Sequence, residues 1–248
     1  MRTKALVLTA AAVAASALTS MAQSNVYSLN VVGYINLTIP AGYSLVTAQL
    51  QGADNSFSSV LGTNLAGGGQ FTAVKWNPAT QSLDGQAPSF YTVADGAPVA
   101  GWYDVSQTVQ TTKTLSLGEA FFILNAGTSA TLTLVGQVSQ ATNTITLVPG
   151  YSFVGSPVPV VSDLSTNSTL QLPQNESLSL SYFSVAAGTY GDTYSYYTAA
   201  DSGTPNGGWF DTTVFTGTPA PIVPAVGQGF LVLNSGTSTT WKPSFTVQ

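Results

Sequence analysis

The chain contains no cysteine and no histidine. Without cysteine there is no disulfide framework, no thiolate metal site and no thiol nucleophile, so burial and backbone hydrogen bonds must hold the fold. Without histidine there is no Ser-His-Asp triad, no ordinary zinc site and no general base of the commonest neutral-pH kind. Charge is scarce too: charged residues make up 6% of the chain, and five basic residues stand against ten acids. So few cations cannot neutralise a row of phosphates or draw the chain to anionic lipid, and no nucleic-acid partner is expected. Hydroxyl and amide side chains supply the polar half of the pattern instead. That composition suits a protein outside the cell, packed against copies of itself or other envelope components.

Two of the five basic residues, Arg2 and Lys4, stand at the start. An apolar stretch from Ala5 to about Leu18 follows, and Ser20 and Ala22 place small residues before a cut after Ala22. This is the three-part pattern of a secretory signal peptide. The apolar stretch is shorter than the ~20 residues that span a bilayer. Residues 1–22 are therefore expected to be a cleaved leader. The mature chain is expected to be secreted or held at the cell surface, with no integral membrane segment.

What remains repeats itself. Gly42-Tyr43-Ser44-Leu45-Val46 returns as Gly150-Tyr151-Ser152-Phe153-Val154. Gly101-Trp102-Tyr103-Asp104 returns as Gly208-Trp209-Phe210-Asp211, and the block Leu117 to Ser129 returns as Val226 to Ser238. Three blocks in one order at nearly one offset indicate a duplication. The expected organisation is a leader over 1–22, a first β copy over 23–140 and a second over 141–248. The joint falls near Ser139–Thr142, and so short a joint brings the copies into contact.

Each copy reads as strands. Ile35, Leu37 and Ile39 alternate with polar residues, as do Thr144–Leu147 and Thr131–Val135, which is the period of a half-buried strand. Phe121–Leu124 and Phe230–Leu233 are continuous apolar runs, the pattern of central strands covered on both faces. The one helical spacing is Phe57, Val60 and Leu61 after Ser56. Many short strands between Gly- and Pro-containing turns predict an all-β fold of two tandem sandwich- or barrel-like modules.

These blocks resemble a repeat found in many exported bacterial surface proteins: a Gly-aromatic-Ser/Asn strand after a Pro-containing turn, a mid-domain Gly-Trp, then Leu-x-x-Gly-x-Gly-Phe. The matching residues are Gly42–Val46, Val74–Asn77, Gly101-Trp102 and Leu115–Ile123 in the first copy. In the second they are Gly150–Val154, Gly208-Trp209 and Val226–Val232. Ala120 departs from the pattern where the second copy keeps Gly229. The resemblance implies a non-catalytic extracellular module and leaves its activity open, because a fold does not carry a function.

Four residues are candidates for ligand binding. Trp102 and Trp209 occupy equivalent positions and are either sugar-stacking platforms or core plugs. Tyr194 and Tyr196 share one strand face, with Tyr190 in register if the strand is unbroken, and form either a contact face or ordinary cross-strand pairs. Glycosidase chemistry needs two carboxylates across a cleft, and Asp84, Asp95, Asp104 and Glu119 are on offer. Asp84-Gly85 and Asp95-Gly96 read as turns, however, and Gln228 replaces Glu119 in the second copy. No dense acidic run offers a calcium site. No catalytic residue, metal or cofactor is expected. The leading expectation is a non-enzymatic secreted or cell-surface protein with a structural or adhesive role, possible self-association included. A pair of polysaccharide-binding modules is the alternative, and a glycoside hydrolase using Asp104 and Glu119 is the third.

Overall fold

The computed structural model describes residues 31–246 apart from residues 105, 106 and 204. The expected leader lies outside these residues. Among the described residues no helix is long and apolar enough to cross a membrane. The fold is mostly β. The first half carries β1 (Val32–Ile39), β2 (Gly42–Thr47), β3 (Phe71–Asn77), β4 (Ser82–Leu83), β5 (Ser89–Tyr91), β6 (Gly101–Tyr103), β7 (Ala120–Asn125) and β8 (Ala130–Gln137). The second carries β9 (Ile145–Leu147), β10 (Gly150–Val154), β11 (Leu178–Ser184), β12 (Thr189–Tyr197), β13 (Gly208–Asp211), β14 (Phe230–Asn234) and β15 (Thr239–Trp241).

The strands form two large sheets and two ribbons, and no sheet closes into a barrel. One sheet runs β2-β7-β3-β5-β6 with β4 attached to β3, and the other runs β10-β14-β11-β12-β13. β1 pairs with β8, and β9 with β15, as antiparallel ribbons. Each ribbon lays its apolar face on the adjoining sheet. In the first half Ile35, Ile39, Leu132 and Leu134 meet Ala73, Phe121 and Ile123. In the second, Ile145, Leu147 and Trp241 meet Leu180, Phe230 and Val232. A short helix, Phe57–Leu61, closes the first core with Phe57, Val60 and Leu61 inward. Ser56 caps it by accepting the Ser59 N–H at 3.2 Å, the side-chain bond that satisfies an otherwise orphaned helix donor.

β7 and β14 are the central strands their apolar runs predict. β7 lies between β2 and β3. Its Phe121 and Ile123 enter the first core, while Ala120 and Phe122 enter a third cluster with Leu45 and Phe153. Each buried aliphatic or aromatic side chain contributes about 1.5–3 kcal/mol. The two strands end alike. Asn125 Nδ2 donates to the Ile39 and Thr128 carbonyls at 2.9 and 2.8 Å, and Asn234 Nδ2 donates to Leu147 and Thr237 at the same two distances. Each buried amide thus ties a sheet to its ribbon.

The halves join by matched bonds along the free edges of β2 and β10. Thr47 N–H donates to the Gly227 carbonyl at 2.9 Å, and Gly155 N–H donates to Gly118 at 3.0 Å. Val46 bridges Gln228, and Glu119 bridges Val154. In each pair, residues at matching positions of the repeated sequence blocks exchange places, as in a two-fold interface. Gly118 and Gly227 both sit at φ 78°, a region that favours glycine, and a Cβ there would lie 2.6 Å from Ile145 and 2.4 Å from Leu37. Gln49 breaks the equivalence. It is 1% exposed, accepts the Gly227 N–H at 2.7 Å and donates to Val158 at 3.0 Å.

Candidate functional site

Trp102 and Trp209 are 0% and 1% exposed. Trp102 packs between Phe57 and Phe90 at 5.8 and 5.7 Å, and Tyr196 covers Trp209 at 6.0 Å. A sugar stacks on an exposed ring face, and neither indole has one. Both residues are core plugs, and the platform expectation is corrected on that ground. The Gly-Trp block repeats because each core needs the same large side chain.

The tyrosine cluster divides. Tyr194 packs edge-on against Tyr182 at 5.9 Å, and both Tyr194 and Tyr196 lie against the second core. Tyr190 turns to Phe183 at 5.5 Å instead. The cause is a register shift: Ser181 pairs with Thr193 but Tyr182 with Gly191, so Asp192 is an extra residue that flips strand parity. Tyr194 and Tyr196 are therefore cross-strand and core-covering residues, and half-buried ones.

The carboxylates are held by turns and ion pairs. Asp95 accepts the Thr92 N–H and Oγ1–H, both at 2.7 Å. Asp84 accepts the Gln86 N–H at 3.0 Å and pairs with Lys113 at 2.7 Å. Partial burial opposes ionisation of Asp84, but the Lys113 and Gln86 bonds outweigh it and hold its carboxyl below the usual range. Glu119 accepts the Ser116 N–H at 2.9 Å and pairs with Lys75 at 2.9 Å. Gln228 does the same turn work, accepting the Ala225 N–H at 2.9 Å. One carbonyl-type oxygen suffices there, so Glu and Gln interchange. Glu119 lines two clefts, and Asp104 lines neither.

Those clefts come in matched pairs. Trp76, Pro78, Glu119, Ile145 and Ser152 line a cleft of about 340 Å³ between the halves. Phe183, Val185, Gln228, Leu37 and Ser44, their counterparts in the repeat, line another of about 440 Å³. Ser152 and Ser44 are 5% and 6% exposed, and neither hydroxyl has a protein partner. A buried hydroxyl left unsatisfied costs about 1–3 kcal/mol, so each is a hydrogen-bonding point inside its cleft.

Beyond Trp76 the first cleft opens onto the two ion pairs, Lys75–Glu119 and Lys113–Asp84. Beyond Phe183 its counterpart opens onto Tyr182, Asp192 and Tyr194, without a cation. Tyr182 stands where Lys75 stands, and its buried hydroxyl is unpartnered. Burial first, and then the neighbouring Tyr194, Asp163 and Asp192, push the Tyr182 phenol well above the ordinary tyrosine range. The same scaffold thus carries ionic chemistry in one half and phenolic chemistry in the other.

Sequence reasoning missed the residues that bridge the halves. Trp76 stacks on Phe153 with ring centroids 4.8 Å apart and planes 8° from parallel. Trp76 Nε1 and Gln81 Nε2 donate to the Tyr151 carbonyl at 2.9 and 3.1 Å, and Tyr151 N–H donates to Gln81 Oε1 at 2.6 Å. The repeated serine of the Gly-Tyr-Ser block was the one available signal for the clefts. No family model, curated protein or solved structure matches this chain.

Proposed function

We propose that this chain is an exported, non-enzymatic protein of two tandem β copies, with a structural or adhesive role at the cell surface. The observation that carries the reading is the reciprocal join between the halves, in which Thr47–Gly227 and Gly155–Gly118 are one bond made twice. Such a join supports two copies of one unit fused as an internal pair. It joins them by paired backbone bonds along both edges, as a spacer or adhesive element requires. The leader pattern supports export. The engagement of Asp84, Asp95 and Glu119 in turns and ion pairs supports a role without catalysis.

Two measurements test this. N-terminal sequencing of the chain recovered from its native producer is expected to begin at Gln23, and surface labelling is expected to reach it. Light scattering of the purified mature chain at high concentration is expected to show association. A cytoplasmic chain that keeps Met1 overturns export, and a strictly monomeric one overturns self-association.

A further inference from the structure

The edges of β2 and β10 are equivalent in position but not in cover. At β10 the Gln81 carboxamide sits on Tyr151, donating to its carbonyl and accepting its N–H, as an added strand would. Gln81 also crowds Gly150, where a Cβ would lie 2.4 Å from Gln81 Oε1. At Gly42, the counterpart of Gly150, a Cβ would meet nothing within 4 Å.

The difference traces to two residues: Trp76, whose Nε1 also donates to the Tyr151 carbonyl at 2.9 Å, has Phe183 as its counterpart, and Gln81 has Gly188. The turn at 78–81 links the paired residues Asn77 and Ser82, and the turn at 185–188 links the paired residues Ser184 and Thr189. Each turn has four residues and ends in the left-handed region, with Gln81 at φ 52° and Gly188 at φ 65°. The backbone is alike, but Gly188 has no carboxamide to lay on Tyr43. Strand alternation places Tyr43 N–H and C=O on the same outer edge as Leu45 C=O and Thr47 N–H, which pair with Gly229 and Gly227.

We propose that the β2 edge at Gly42–Tyr43 docks an uncharged, extended peptide strand of a partner protein. The N–H and C=O of one partner residue take the two places that Gln81 fills on Tyr151. The site continues the edge already paired at Leu45–Thr47, so an added strand extends an existing ladder. The adjoining cleft of about 440 Å³ has Asn36, Thr38, Ser44 and Gln228 as its polar lining and no charged side chain. It would leave a charge on the incoming strand desolvated and unpaired, which selects a neutral sequence. Tyr43 itself is 47% exposed and edge-on to Phe122 at 5.7 Å, a rigid surface beside the edge. The inference rests on the adhesive reading only for the partner lying outside the chain.

The test is a titration of the isotope-labelled mature chain with a capped pentapeptide of alternating threonine and valine, followed at each backbone amide. Saturable shifts are expected at Gly42, Tyr43 and Ser44 and not at Tyr151. Gly188→Gln has open space and a left-handed backbone already used by glutamine in the twin turn. It is expected to slow Tyr43 amide exchange at least tenfold and to weaken peptide binding at least tenfold. Gln81→Gly combined with Trp76→Phe, which removes both groups that sit on Tyr151, is expected to create a second peptide site with shifts at Tyr151. No saturable shift at Gly42–Ser44 overturns the proposal. So does a Gly188→Gln chain that folds yet leaves Tyr43 exchange and peptide binding unchanged, or a dextran oligosaccharide that shifts Gly42–Ser44 where the peptide does not. Self-association is read separately by light scattering, so the two ideas fail independently.

Discussion

Ala120 and Gly229 occupy equivalent positions and face each other where the halves meet, with room for one methyl group between them. A Cβ built on Gly229 would lie 2.7 Å from Ala120 Cβ, 3.0 Å from Leu45 Cγ and 3.1 Å from Thr47 Oγ1. Only one of the two positions has room for a methyl group, which fits alanine at 120 and glycine at 229. Gly229→Ala is expected to cost about 1–3 kcal/mol by overpacking. Adding Ala120→Gly should recover at least half of that loss, because it moves the methyl across the interface. Urea unfolding of the two single variants and the double variant measures the coupling. Additive losses would show that the contact does not set the choice.

Asn125 and Asn234 give a second test, since each buried amide donates to two carbonyls. Asn234→Ala removes the amide bonds to the Leu147 and Thr237 carbonyls and is expected to destabilise by about 1–3 kcal/mol in urea unfolding. Asn125→Asp should be worse at neutral pH than at pH 4. An ionised carboxylate aims charge at the Ile39 and Thr128 carbonyls, and its protonated form can donate to one of them. Equal losses at both pH values would show that donation is not what the amide supplies.

The strands were readable because period two and continuous apolar runs report directly on which faces are covered, and β1, β7, β9 and β14 all obey them. The Phe57–Leu61 helix was readable from the spacing of Phe57, Val60 and Leu61, while its Ser56 cap was not. The parity of Tyr190 was not, because one extra residue at Asp192 reverses it, and a bulge leaves no mark in hydrophobic alternation. Trp102 and Trp209 were ambiguous because a core plug and a sugar platform call for the same residue, and burial alone separates them. Gln49 and Gln81 were invisible: each acts on a residue at least 70 positions away through an amide with no local pattern.

Asp163 anchors the second half at neutral pH, and that hold is lost in acid. Its carboxylate accepts Ser165 N–H at 2.9 Å, Ser165 Oγ–H at 2.6 Å, Thr166 Oγ1–H at 2.8 Å and the distant Ile222 N–H at 3.0 Å. Partial burial works against the charge, but these donors outweigh it and lower the pKa below its ordinary value. A carboxyl whose folded pKa is depressed contributes stability that is present above the unfolded value, about 3.9, and is lost as pH falls through the folded value. Stability should therefore drop below about pH 4, and Asp163→Asn should flatten that limb while lowering the neutral plateau. Urea midpoints between pH 2 and 7 measure both. An unchanged acid limb in the variant would assign the loss to other carboxyls.

At the alkaline end the phenols of the second half act in the opposite sense. Burial pushes Tyr190 up to about 12, and burial with neighbouring negative charge pushes Tyr182 higher still. An unfolded tyrosine ionises near pH 10, so between that value and the folded pKa the unfolded chain loses protons that the folded chain keeps. Stability must then fall as pH rises through about 10 to 12, although no cysteine or histidine contributes. Tyr182→Phe removes a buried hydroxyl that has no partner and keeps the ring edge-on to Tyr194 and Phe230. The variant is expected to equal or exceed the parent in stability at pH 7 and to lose less of it by pH 11. Thermal unfolding at the two pH values, read beside the phenolate absorbance, decides the matter. A variant that is less stable at pH 7 would mean that the hydroxyl is satisfied in solution, and that Tyr182 holds a water where its counterpart Lys75 holds Glu119.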